Sequence, residues 1–406
     1  MSETVPSYNP SASEKPPAEF EFHQKRFEKM AKEFNERGLL QKLIDWRRGI
    51  GWKAEMQPID FAHEEAIRDN ADFERRKTEE FQAWEKNLKP VIEHLLQKRD
   101  LPTAEREKTK TLLLILGGGM KGPYSAGQAL GLHEIGLGKS FDTVVGISAG
   151  AGTAAYFSAG AEQARIGTSL FYEECTTKDF IDFRRLHKIM NVDFIADKMR
   201  RGEKTLDQKA IMDSPQELYV GVTKPDTFES ELINVKTARP DMIAPFHASM
   251  AAPIAYREAV EVNDDKYIDG AFDPMPVEKV IEKFHPTDIL ILPNTPFDRM
   301  DAFEVTPGEY LVSELLEGAS RVVPVASLGT VEKFLRIKGQ IRKSLEFIQQ
   351  QQGVNIGILW PPDSGLTSVT TNPERIQAAV LESARGVVKA FGGEQLEEIK
   401  LYHHRE

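Results

Sequence analysis

The first hundred residues carry apolar side chains at helical spacing in a charged background. Phe20, Phe22, Phe27, Met30 and Phe34 form one set, and Leu39, Leu40, Leu43, Ile44 and Trp46 a second. Further on, Phe81, Trp84, Leu88, Ile92 and Leu95 fall on one side of a long amphipathic helix, with Pro90 placed to kink it. These patterns predict a helical N-terminal extension over 19–107. It is expected to lie on the domain that follows, with docking of a protein partner as the alternative use. Residues 1–18, rich in Ser and Pro, are expected to be a disordered tail.

At Thr111 the texture changes. TLLLIL is a short unbroken apolar run, as expected of a strand buried on both faces of a parallel sheet. YSAGQALGLHEIG reads as a helix, FDTVVGIS as a strand and GAGTAAYFSAG as a helix. The strands continue in ELYVGVT, SELINV, YREAVEV with KYID, TDILILPN and NIGILWPP, with helices over 241–251 and 276–284. ERIQAAVLESARGVVKAF is a last amphipathic helix. The expected fold class is α/β: a three-layer α/β/α domain over 108–392 with a mostly parallel sheet, plus the helical extension. Within it, 302–352 reads as a helical insert or lid bearing Phe303, Leu311, Leu315, Leu316 and Phe334, and 393–406 reads as a charged tail.

Charge and composition narrow the partners. The 406 residues carry a formal net charge of -11, which argues against nucleic acid. The lone cysteine, Cys175, excludes an intramolecular disulfide or a cysteine metal cluster and reads as an ordinary packed thiol. The N-terminus lacks the basic and apolar regions of a Sec signal. Thr143–Ala161 is uncharged over the length of a membrane span, but Gly, Ala, Ser and Thr dominate it. It is read as a buried strand and a small-residue helix. The expected location is cytoplasmic and peripheral at membranes, with export by a signal-independent route left open.

Three segments carry chemistry. Gly146-Ile147-Ser148-Ala149-Gly150 places a serine at a strand-to-helix junction, the setting of a nucleophile elbow, with Gly146 and Gly150 leaving room for a strained turn. Gly117, Gly118, Gly119, Lys121 and Gly122 follow a buried strand, and consecutive glycines let several N–H groups point at one oxyanion. Asp269, followed by Gly270 and Ala271, ends a strand pair where its carboxylate can serve as a base. Alone, it reads as an Asx-turn aspartate. No histidine stands where a serine triad needs one: His187, His247 and His285 sit in charged, helical or strand-entry positions, and His403 and His404 in the tail. Gly117, Gly119 and Gly122 also satisfy the dinucleotide fingerprint, but the acid of that site belongs at the end of the second strand, and Asp142 begins it.

Together, GGGMKG, GISAG and DGA, with Ala248-Ser249-Met250-Ala251-Ala252-Pro253 just ahead of the Asp strand, resemble the signature set of patatin-like phospholipases. The resemblance covers about 110–295, and one position departs from it: Leu116 stands where many members carry Asp. It implies the patatin-like version of the α/β/α fold and a Ser-Asp dyad, with Ser148 as nucleophile and Asp269 as acid. It implies an oxyanion loop at glycines 117–119, with Lys121 in the accompanying basic position. The implied activity is hydrolysis of acyl esters of glycerophospholipids or other acyl lipids, with peripheral membrane contact. No metal or cofactor is expected. A non-catalytic scaffold and a small-ester esterase are the alternatives. Lys198, Arg200, Arg201 and Lys204 form a basic stretch that reads either as an anionic head-group contact or as a helix C-terminus capped at Gly202.

Overall fold

The computed structural model describes residues 71–402, apart from 103–104, 106–108, 186–187, 254, 300–339, 342 and 394–398. The chain divides into two compact units, Met1–Lys77 and Thr78–Glu406. The tail over 1–18, most of the 19–107 extension and the apolar lid residues from Phe303 to Phe334 lie outside the described residues.

Helix α1 (Ala71–Asp100) shows why the second unit begins earlier than residue 108. Its stripe is no separate appendage. Trp84, Leu88, Val91 and Leu95 are at most 8% exposed and join the main cores, with Val91 taking the deep position expected of Ile92. Burying each such side chain contributes about 1.5–3 kcal/mol. At the helix end Lys98 is itself buried. Its Nζ donates to Thr109 O at 2.8 Å, Thr111 Oγ1 at 2.9 Å and Asp142 Oδ2 at 2.5 Å. Asp142 Oδ2 also accepts from Thr111 N at 2.7 Å, so this acid ties strand beginnings together, at the end opposite to any nucleotide site.

Strands and helices then alternate: β1 (Thr111–Ile115), α2 (Pro123–Glu134), β2 (Thr143–Ile147), α3 (Ala149–Ser158), α4 (Ala161–Ser169), α5 (Val192–Arg200), α6 (Gln208–Asp213) and β3 (Glu217–Thr223). They continue as β4 (Ser230–Asn234), α7 (Ala244–Met250), β5 (Val260–Val262), β6 (Asp265–Asp269), α8 (Val277–Phe284), β7 (Asp288–Leu292), β8 (Asn355–Ile358) and α9 (Pro373–Ala390). The sheet order is β5-β6-β3-β2-β1-β7-β8, with β4 also on β3. The centre, from β3 through β8, is parallel, while β4, β5 and β6 pair antiparallel. The strand expected over YREAVEV is shorter than its apolar pattern, because Tyr256 turns away to bridge Lys188 and only Val260–Val262 pairs with β6.

Period-two burial assigns each strand residue to a layer. Leu113, Ile115, Val144, Leu218, Val220, Leu290 and Leu292 face a core closed by α2, α3, α5, α7 and α9. Leu112, Leu114, Val145, Ile147, Ile289 and Ile291 face the other, closed by Val277 and Val280 of α8 and by Ile348. Helical residues 343–350 thus pack on the sheet, and Ser344 Oγ donates to Met275 O at 3.0 Å. That accounts for the end of the stretch expected as a lid. In the first layer, α2 and α9 approach closely because α2 is glycine at the contact: a methyl on Gly127 would lie 2.2 Å from Val380 O, and one on Gly131 2.7 Å from Ala384 O. The uncharged stretch from Thr143 is β2 and α3, and among the described residues no helix is long and apolar enough to cross a membrane.

Candidate active site

Ser148 is the single residue between β2 and α3, with φ 53° and ψ −126°. Non-glycine residues rarely adopt such a conformation, and one that does stores strain only where its surroundings over-determine it. Here close packing does so. A methyl on Gly150 would lie 2.4 Å from Ile115 O, and one on Gly146 would lie 2.6 Å from Ala151 Cα. The chain must therefore turn sharply over β1, and the serine projects from the carboxyl end of β2.

Asp269 reaches the same point from the opposite direction. β2 pairs with β3 as far as Ile147 and Gly221. One residue further along β3, Val222 pairs with Asp269, the last residue of antiparallel β6. Since β4 occupies the other edge of β3 at Val222 and Thr223, β2 and β6 share one edge and meet end to end. This junction sets Ser148 Oγ 2.8 Å from Asp269 Oδ2, donating to it. Gly270 makes the turn possible, because a methyl there would lie 2.2 Å from Gly221 O. Gly270→Ala is therefore expected to lower stability by about 1–3 kcal/mol, and a denaturant melt equal to that of the unsubstituted protein would contradict this.

The carboxylate has two different oxygens. Oδ1 accepts from Ala271 N at 2.8 Å, which is the Asx turn, and Oδ2 faces the serine. The Asx-turn reading and the base reading thus describe two halves of one group. Asp269 is 1% exposed. Burial pushes its carboxyl up to about 7, against the pull of the Ala271 amide and the Ser148 hydroxyl.

The glycine loop stands beside the serine. A methyl on Gly117 would lie 2.7 Å from Ser148 Cβ and 3.5 Å from its Oγ, and one on Gly122 would lie 3.1 Å from Ala149 Cβ. Leu116 N donates to Leu292 O, Met120 N to Ser368 O, Lys121 N to Gly118 O and Gly122 N to Gly119 O. The intervening amides of Gly117, Gly118 and Gly119 donate to no described residue. Of the three, Gly117 lies against Ser148, Gly118 against Asn294 and Lys121, and Gly119 against Ser368. Lys121 Nζ donates to Thr295 Oγ1 at 3.0 Å.

The sequence profile of the family described as patatin-like phospholipase matches residues 113–281. Over residues 113–281 the chain is similar to patatin-like phospholipases. The match spans β1 to α8, and so contains the glycine loop, Ser148 and Asp269. The family is one of lipid acyl hydrolases. Among solved structures, that of VipD from Legionella pneumophila is similar at 14% identity and a TM-score of 0.36, over 70% of this chain and 67% of that one. A search of curated proteins finds no match.

Two residues outside the matched segment hold the candidate site without having stood out in the sequence. Asn294, 1% exposed just beyond β7, donates from Nδ2 to Leu116 O and accepts at Oδ1 from Ser125 N at 2.8 Å. It fixes the glycine loop to the strand before it and the helix after it. The available signal was an amide at the carboxyl end of the apolar run DILILPN. Ser368 holds the loop from outside, its carbonyl accepting from Met120 N at 3.1 Å. That contact joins segments far apart in the chain, so no local pattern marks it.

The histidines lie elsewhere. His247 packs against Tyr256, with Nε2 3.1 Å from Asp193 Oδ1 but not aligned for a hydrogen bond, and burial keeps its pKa below the ordinary histidine value. His285 is the exposed left-handed cap of α8 at the entry to β7. His187, His403 and His404 lie outside the described residues. Cys175 is buried, which raises its thiol pKa and keeps it protonated. Among the described residues no cluster of three or more His, Cys, Asp or Glu is placed to hold a metal.

The basic stretch is engaged within the protein. Lys198 pairs with Glu174 at 2.9 Å, Arg200 with Asp241 at 3.1 Å and Arg201 with Asp197 at 2.8 Å. Lys204 is 2% exposed and bonds Ser169 Oγ at 2.6 Å and Glu173. The burial of Lys204 removes it from any head-group contact. The stretch does lie at the end of α5, but the cap is the extended Arg201, whose N–H donates to Asp197 O, and Gly202 at φ 86° follows it rather than capping the helix.

Proposed function

We propose that the protein hydrolyses acyl esters of glycerophospholipids or related acyl lipids through an acyl-enzyme, with Ser148 as nucleophile and Asp269 as base. The observation that carries this reading is the 2.8 Å Ser148–Asp269 hydrogen bond at a strained strand-to-helix turn. Ser148 Oγ attacks the ester carbonyl carbon while Asp269 Oδ2 takes its proton. The amides of Gly117–Gly119 receive the oxyanion, helped by the N-terminus of α3. Collapse expels the alcohol, which takes the proton back from Asp269. Water then attacks the acyl-enzyme with Asp269 taking its proton, collapse breaks the bond to Ser148 Oγ, which regains the proton from Asp269, and the fatty acid leaves. Phospholipase A-type cleavage at a peripheral membrane surface is part of this reading, supported by the likeness of residues 113–281 to patatin-like phospholipases. A cytoplasmic setting agrees with the lone buried thiol.

A base must be ionised to act. With Asp269 held at about 7, kcat/KM is expected to fall about tenfold per pH unit below that value and to level off above it. A flat profile from pH 5 to 8 would contradict Asp269 as the base. The substrate class is tested by a panel of diacyl, lysophospholipid, neutral-lipid and short soluble esters with mass-spectrometric readout of products. Release of fatty acid from phospholipid, absent in Ser148→Ala, is the expected result. Turnover of the short esters alone would make the protein a small-ester esterase.

A further inference from the structure

We infer that Ser249 is a positioning residue for the reaction: its hydroxyl, on α7, pins the backbone of the nucleophile and so fixes where Ser148 meets Asp269. The inference rests on the Ser148–Asp269 reading above and deepens it. Ser249 is fully buried and lies between three chain segments. Its Oγ accepts from Ser148 N at 2.9 Å and donates to Gly221 O at 2.6 Å. Gly221 is the residue of β3 that pairs with Ile147, one position before the pairing of Val222 with Asp269. It is also the residue whose carbonyl lies against Gly270. One hydroxyl therefore links the end of β2, the middle of β3 and the turn after β6.

The chemistry of the junction explains why a hydroxyl is needed. β2 stops pairing at Ile147, so Ser148 N–H has no strand partner, and as the residue before α3 it has no helix partner either. A buried amide left unbonded is costly, and this one belongs to a residue already held at positive φ. The acceptor must also give its own proton to Gly221 O, which a serine does and an alanine, or an acceptor-only group, does not. The same helix end serves the partner acid: Asp269 N donates to Ala251 O at 3.1 Å, just past α7. Both members of the pair are thus referenced to Ser249-Met250-Ala251. Holding Ser148 N–H in this way also leaves the oxyanion to the glycine loop and the start of α3.

The test compares wild type with Ser249→Ala. Active sites are titrated with a fluorophosphonate, so that turnover and labelling rate are expressed per competent serine. Exchange of the amides over residues 144–150 is followed by hydrogen–deuterium mass spectrometry. A lost positioning bond is expected to lower kcat per titrated site and the labelling rate about tenfold, with KM within twofold, and to speed exchange of that peptide. If Ser249→Ala fails to fold, Ser249→Cys, which is somewhat larger, keeps a donor and weakens the acceptor, is expected to lose several-fold in the same two rates. A purely structural role would lower yield or melting temperature and leave both per-site rates unchanged, which would overturn the inference. Wild type that is never labelled at Ser148 would overturn the nucleophile reading and this inference with it. Labelling at Ser148 with an unchanged rate in the variant would overturn this inference alone.

Discussion

Ser148→Ala is expected to lose on the order of 10^4-fold or more of lipid ester turnover while keeping the wild-type fold. The size follows from the role, since without the hydroxyl no acyl-enzyme forms and only binding and oxyanion contacts remain. The fold survives because the strain at this residue is in its backbone, held by Gly146, Gly150 and Ser249, and the side chain makes a single hydrogen bond. Loss of that one contact leaves Asp269 Oδ2 without its partner, which costs about 1–3 kcal/mol and leaves the fold in place. Circular dichroism and a melting curve check the fold, and released fatty acid checks the activity. More than a tenth of wild-type turnover in the variant would place the nucleophile elsewhere.

Asp269→Asn is expected to lower turnover about 10^2- to 10^4-fold, the range for removing a general base, and to abolish the pH dependence near neutrality. Asparagine keeps the acceptor for Ala271 N, so the turn is retained. The same change has a sign for stability. The folded carboxyl lies near 7 and its ordinary value is 3.8, so between these values the folded state binds more protons than the unfolded. Stability attributable to this group is therefore greatest below the ordinary value, falls as pH rises toward 7, and stays low above it. The substituted protein escapes that penalty. It is expected to melt above wild type at pH 8, with the difference shrinking at pH 5. Equal melting differences at both pH values would mean that the carboxyl is not held high by burial. His247→Gln and His285→Gln are expected to stay within about tenfold of wild-type turnover, because neither ring touches the serine.

Much of the fold was legible because the parallel strands are buried on both faces. TLLLI and DILIL are unbroken apolar runs, and the alternation that sorts Leu113 from Leu114 follows from strand geometry once they are strands. The elbow was legible because its glycines flank the serine in a short motif, although only Gly146 is demanded by local contacts, Gly150 being pressed against Ile115 and Leu116 at the end of the neighbouring strand. What was not legible is non-local. The end-to-end meeting of β2 and β6 on one edge of β3 is a matter of pairing, and it alone brings residues 148 and 269 together. Lys204 looks like a surface cation in KMRRGEK, yet tertiary packing buries it under Tyr402 with Glu173 as its partner. The helical stripe of α1 was visible and its packing on the following domain expected, but not which core each residue joins, because periodicity gives a face and not the surface that covers it.

The central claim is that Ser148 becomes acylated. Wild-type protein is mixed with an activated acyl ester, quenched in acid within one turnover and digested, and the acyl group is located by mass spectrometry. The account predicts an acyl increment on the peptide containing Ser148, absent in Ser148→Ala and strongly slowed in Asp269→Asn. An acyl group on another residue, or turnover with no acylated serine at any quench time, would contradict it.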